Sequence, residues 1–205
     1  MTDVLDLTLA TTLALTDVTY IVVDPSGTPL DRQATLQTVA DTMLSRQLAF
    51  VQTSVATVDN SASELTMIGA GVGSLVFPAN YFSAGKTIRV HAAGTISDTG
   101  TPNFTCKVKF GSTVLASTGA VAQGTLASDL WTLDWTLTCV TAGVSGTVWS
   151  QGVFYSDTTR LNMVNAATIS VDTTGTLTLN VTGQWGAADP ANAINCTLLQ
   201  VYREN

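Results

Sequence analysis

The chain has 205 residues, 45% of them hydrophobic and 11% charged, with a formal net charge of -7. Such a composition belongs to a packed globular protein and excludes a disordered one. With only eight Lys and Arg residues and a pI near 4.3, it also argues against nucleic-acid binding, which draws its affinity from clustered cations. Lys86, Arg89, Lys107 and Lys109 are the nearest thing to a basic group, and they are expected to decorate a solvated face.

In chain order, MTDVLDLTLATTLALTD has an apolar middle but carries Asp3 and Asp6 where an export signal has Lys or Arg, so no export signal is expected. Tyr20 to Asp24 is β-branched and aromatic, and Asp24-Pro25-Ser26-Gly27 supplies turn residues. Thr35 can then cap a helix whose apolar positions Leu36, Val39, Ala40, Met43 and Leu44 recur at helical spacing. A helix this short needs a partner for its apolar stripe, either the rest of the chain or copies of itself.

Beyond about residue 50 the helical period gives way to all-β grammar. Strands are expected at 50–58, 64–69, 73–78, 86–97, 103–110, 112–118, 129–140, 146–157, 166–172, 175–186 and 194–203. Hairpin turns are expected at Phe110-Gly111-Ser112-Thr113 and Asp172-Thr173-Thr174-Gly175. Segment 129–140 alternates most clearly: Leu130, Thr132, Asp134, Thr136 and Thr138 share one face, and Trp131, Leu133, Trp135, Leu137 and Cys139 the other. The fold expected is mainly β, a jelly-roll-like antiparallel sandwich over 51–205 preceded by a strand-turn-helix arm over 1–50. No stretch approaches the ~20 apolar residues of a spanning helix, so no membrane partner is expected.

Chemistry-bearing residues are sparse. The three cysteines, Cys106, Cys139 and Cys196, lack zinc spacing and are expected as buried small hydrophobes, with a single disulfide left open. His91 is the only histidine, and no GxSxG elbow accompanies it. Asp134 stands mid-strand near Trp131, Trp135 and Trp149, where a sugar-binding face is one reading and core aromatics the commoner one. Asp98, Asp157, Asp172 and Asp189 fall in turn-like settings without an EF-hand pattern, and Gly69-Ala70-Gly71-Val72-Gly73 lacks the Lys of a nucleotide loop and is expected as a flexible bend. No catalytic residue, metal ligand or cofactor is assigned.

Two blocks carry a resemblance. YIVVDPSGTPLDRQATLQTVADTML resembles a segment near the start of many tailed-phage virion proteins, and SLVFPANYFSAGKTIRVHAAGTISDTGTPNFTCKVKFGSTVLAST resembles the jelly-roll-like domain of phage fibre and head-decoration proteins. The resemblance implies a structural virion protein assembled in the host cytoplasm. Its expected form is a homotrimeric capsid decoration (cement) protein or short head fibre that binds the major capsid protein or another virion protein. The alternative is a receptor- or carbohydrate-binding tail fibre or tip that meets a host-surface glycan. On this reading Leu36, Val39, Met43 and Phe50 face the oligomer axis, and Tyr20, Ile21 and Val22 dock on the particle.

Overall fold

The computed structural model describes the backbone of residues 18–22 and 31–35 together with residues 47–157 and 159–204, and every regular element among them is a strand. The chain divides into two compact units, Met1–Ser45 and Arg46–Asn205. In the first, β1 (Val18–Val22) and β2 (Asp31–Thr35) pair antiparallel, with Val18 opposite Thr35 and Val22 opposite Asp31. Thr35, expected as a helix cap, is the last residue of β2. The helix expected after it lies outside the described residues.

The second unit contains β3 (Gln47–Gln52), β4 (Ala56–Asp59), β5 (Leu65–Thr66), β6 (Gly71–Gly73), β7 (Val76–Phe77), β8 (Thr87–Ser97), β9 (Asn103–Phe110) and β10 (Thr113–Ser117). It continues with β11 (Val121–Ala122), β12 (Asp129–Thr141), β13 (Thr147–Ser156), β14 (Thr159–Val164), β15 (Ile169–Ser170), β16 (Leu177–Trp185) and β17 (Ala193–Arg203). These form two antiparallel sheets. One runs β14-β13-β12-β8-β17-β3-β6, with β15 also on β13 and β4 on β17; the other runs β10-β9-β16-β5, with β11 on β9 and β7 on β16.

Period-two alternation builds the interior between them. In β12 every second residue from Trp131 to Cys139 is buried, and β8 buries Ile88, Val90, Ala92 and Ile96 on the same side. From the other sheet, β9 contributes Phe104, Cys106, Val108 and Phe110, and β16 contributes Leu179, Val181 and Trp185. Phe104 meets Phe154 of the facing sheet with ring centroids 5.9 Å apart. All three buried indoles keep a partner for their N–H, as burial in an apolar layer requires. Trp131 donates to the Asn195 carbonyl at 3.0 Å, Trp135 to the Ser150 hydroxyl at 2.8 Å and Trp185 to the Val58 carbonyl at 3.1 Å.

The Asn195 contact depends on two local devices. Gly94 of β8 lies opposite both Trp131 and Cys196. A Cβ there would collide with the Asn195 carbonyl oxygen and reach the Trp131 indole nitrogen at 3.0 Å. Next to it, the β17–β8 register shifts between Cys196 and Leu198. The extra residue of this bulge flips the parity of β17, so burial passes from Ile194 and Cys196 to Leu199 and Val201.

Several expectations change. The Gly111 turn is a hairpin as expected: Thr113 pairs with Phe110, and Gly111 has φ 53°. Asp172 to Gly175 is not one, because it leads from β15 in one sheet to β16 in the other. There the Asp172 carboxylate accepts from the Thr174 amide and hydroxyl, and Thr173 is buried against Gly143. The glycine-rich bend at 69–73 contains edge strand β6, where a Cβ at Gly71 would strike the Phe50 ring. Three strands were not anticipated, β2, β11 and β14. The three cysteines are free and buried, so no disulfide joins them.

Gly94→Ala is expected to lower the unfolding free energy by at least about 2 kcal/mol, as overpacking beside a buried indole does. Urea unfolding followed by tryptophan fluorescence checks it. A variant with the wild-type midpoint would contradict the packing described.

Candidate functional site

The outer face of the larger sheet is the part of the described molecule with open, chemically varied side chains. Register sets them in rows across the strands. Arg160, Tyr155 and Thr132 form one row; Asn162, Val153, Asp134, His91 and Gln200 form the next; Val164, Gln151, Thr136, Arg89 and Tyr202 form a third. Trp149 lies opposite Thr138 one row further on. These side chains face outward because their neighbours Val148, Phe154, Leu133, Trp135 and Met163 occupy the interior.

Among the described residues, three depressions lie on this face. The largest, about 480 Å³, lies over β12, β13 and β14 and is lined by Asp134, Thr136, Gln151, Val153, Tyr155, Arg160, Asn162 and Val164. A second, about 360 Å³, shares Thr136 and Gln151 with it and extends to Thr138, Trp149 and Asn165. Together they make one groove along β13. Asn165 closes its far end from a fixed position, donating to the Leu115 carbonyl at 2.8 Å and the Ser150 carbonyl at 3.1 Å. The third, about 180 Å³, sits beside Arg89, His91, Gln200, Tyr202 and Glu204.

Asp134 marks the boundary between the groove and the third depression. Its carboxylate accepts from Arg89 through both oxygens, the Nε bond being 2.9 Å. Both side chains are more than 40% exposed, so the pair orients groups more than it stabilises the fold. His91 faces Asp134 and Gln200 across the ladder, with no serine or cysteine opposite it. Among the described residues there is no group of three or more His, Cys, Asp or Glu able to hold a metal ion. No helix among them is long and apolar enough to cross a membrane.

The smaller sheet presents a different outer face. Glu64, just before β5, accepts from Lys107 Nζ at 2.6 Å, Lys109 Nζ at 2.7 Å and the Thr182 hydroxyl at 3.0 Å. Hydrogen bonds from the two lysines, Lys107 first, hold its carboxyl well below the usual carboxylate range, at about 2, against the opposing effect of burial. Thr66 donates to Asn180 at 2.8 Å and Gln184 to the Ala62 carbonyl at 3.0 Å. The polar groups here mostly satisfy one another.

The aromatic residues singled out in the sequence separate cleanly. Trp131, Trp135 and Trp185 are core, while Trp149 is 48% exposed on the groove. Phe50, expected near an oligomer axis, lies in β3 and is buried in the core of its own unit. Leu36, Val39 and Met43 lie outside the described residues; Tyr20, Ile21 and Val22 lie in β1, opposite Gln33, Arg32 and Asp31. Of the four loop aspartates, Asp172 and Asp189 accept from nearby backbone amides, as turn residues do. Sequence reasoning missed Arg160 and Asn162 altogether. The alternation Arg160-Leu161-Asn162-Met163-Val164 was the available signal, in a segment too short to stand out.

No family model matches the chain, and a search of curated proteins finds no match either.

The Glu64 cluster makes stability depend on pH. Its folded value of about 2 lies below the ordinary glutamate value of 4.5, so its contribution is fully present above the unfolded value and is lost as pH falls through the folded one. The difference in unfolding free energy between wild type and Glu64→Gln is expected to be on the order of 2 kcal/mol above pH ~5 and to shrink toward pH ~2. Denaturant melts across that range measure it. A difference independent of pH would contradict the assignment.

Proposed function

We propose that the chain is a non-enzymatic structural component of a tailed-phage virion, a homotrimeric capsid decoration protein or short head fibre built as a jelly-roll-like sandwich. Strand order supports the fold reading. Taking β3, β5, β8, β9, β10, β12, β16 and β17 as first to eighth, one sheet carries the first, eighth, third and sixth as neighbours, and the other the second, seventh, fourth and fifth. That is the arrangement of two interlocked Greek keys, with β13 and β14 added as a hairpin beyond the sixth strand.

The observation that carries the assembly reading is the division at Ser45/Arg46 into a small hairpin-bearing unit and a larger β unit. The described residues of the second unit form a core that includes Phe50. On this reading Leu36, Val39 and Met43 meet copies of themselves, and Tyr20, Ile21 and Val22 meet a capsid or other virion protein. The virion setting itself rests on the two resembling sequence blocks.

Native mass measurement is expected to give three times the 21.4 kDa chain mass. Leu36→Asp with Met43→Asp is expected to abolish both the trimer and retention on purified virions, leaving the β domain folded. A strictly monomeric wild-type protein, or a doubly substituted one that still binds virions, would contradict the proposal.

A further inference from the structure

The groove along β13 differs from the outer face of the smaller sheet in what its polar groups do. On the smaller sheet, Glu64, Lys107, Lys109, Thr182, Thr66 and Asn180 bond to each other. Across β8 and β17 the pattern continues: Arg89 pairs with Asp134, Tyr202 with Gln200, and Thr87 with Thr138. Along β13 and β14 it stops. Gln151, Arg160 and Asn162 are exposed, line the groove and make no side-chain hydrogen bond or ion pair among the described residues.

These open donors and acceptors lie between two exposed aromatic rings. Trp149 and Tyr155 are 48% and 42% exposed on the same face of one strand. Six residues apart, they stand roughly 20 Å from each other along β13. The groove therefore has a flat apolar platform toward each end, amide and carboxylate groups between them, and a floor of alternating strands that cannot easily deform. Asp134 adds two acceptor oxygens already oriented by Arg89.

We propose that this groove binds an oligosaccharide carrying a carboxylate. A sugar ring offers one face of C–H groups, which the electron-rich face of an indole or phenol attracts, and an edge of hydroxyls that both donate and accept. Gln151, Asn162 and Asp134 supply both kinds of partner within the groove, so a sugar chain exchanges water for matched hydrogen bonds while it covers Trp149 and Tyr155. The acidic preference comes from Arg160. It faces Tyr155 across the ladder and, among the described residues, makes no ion pair, so its guanidinium is available for a bidentate contact with a sugar carboxylate. The proposal does not depend on the virion reading and holds for a monomer as well as a trimer.

The test uses the full-length protein on a panel of neutral and uronic- or sialic-acid-containing oligosaccharides, with Kd measured for the best acidic binder and its neutral counterpart. Wild type is expected to prefer the acidic glycan and to bind it more weakly as salt rises. Trp149→Ala is expected to weaken both ligands about tenfold or more, and Arg160→Gln to weaken the acidic one about tenfold while leaving the neutral one nearly unchanged. Val114→Ser, on the opposite sheet, is expected to change neither. Circular dichroism and native mass keep folding and assembly in view. Absence of any binder on the panel, binding that survives Trp149→Ala, or equal loss of both ligands with Arg160→Gln would overturn the proposal. So would a Trp149→Ala protein that changes its oligomeric state, which would assign the groove to a contact between copies.

Discussion

The ladder β12-β8-β17 fixes which side of the larger sheet is interior, and everything else on the domain follows from that choice. A slip of one residue in β12 would turn Trp131 and Trp135 outward and bring Asp134 into the core, an exchange whose desolvation cost far exceeds any local gain. The register is further pinned at one point, where the Asn195 carbonyl turns over Gly94 to meet the Trp131 indole. The bulge beside it lets β17 keep its apolar residues inside on both sides of the distortion.

From that constraint the two outer faces acquire different characters. The smaller sheet closes its outer polar groups into a network around Glu64, whose lysine partners keep it ionised far into the acid range. The larger sheet is extended past β12 by β13 and β14, and the extension carries exposed aromatic and amide groups whose bonding capacity is unused. Sheet edges are handled with equal economy: β6 is three residues long, and its Gly71 allows it to lie directly against Phe50. The result is a domain stable on its own core, with chemistry left over on one groove.

Much of the fold was legible in the sequence because alternation reports burial directly. Segment 129–140 reads as β12 almost residue for residue, 103–110 coincides with β9, and the three buried tryptophans follow from the same pattern. What escaped has physical reasons. Glycines at 69–73 resemble a bend in composition, yet they serve close approach of an edge strand. The Asp172 turn has hairpin residues, but its flanking strands pair in different sheets, which depends on contacts distant in sequence. Phe50, expected at an oligomer axis, is a buried core residue of β3, since burial within its own sheet pair is set by contacts distant in sequence. The groove itself was half legible: Asp134 and Trp149 stood out, whereas Arg160 and Asn162 acquire meaning only once β14 pairs with β13.

Whether β12 turns Trp131, Leu133 and Trp135 inward and Thr132, Asp134 and Thr136 outward can be read by thiol labelling of the folded protein. Cys106, Cys139 and Cys196 are buried, and burial pushes the thiols of Cys106 and Cys196 up to about 12, so the native protein is expected to resist a thiol-specific reagent until it unfolds. Thr132→Cys and Thr136→Cys are each expected to add one rapidly reacting thiol, and Leu133→Cys none. Rapid labelling at Leu133→Cys in a protein that remains folded, with protection at Thr132→Cys and Thr136→Cys, would mean that β12 faces the other way.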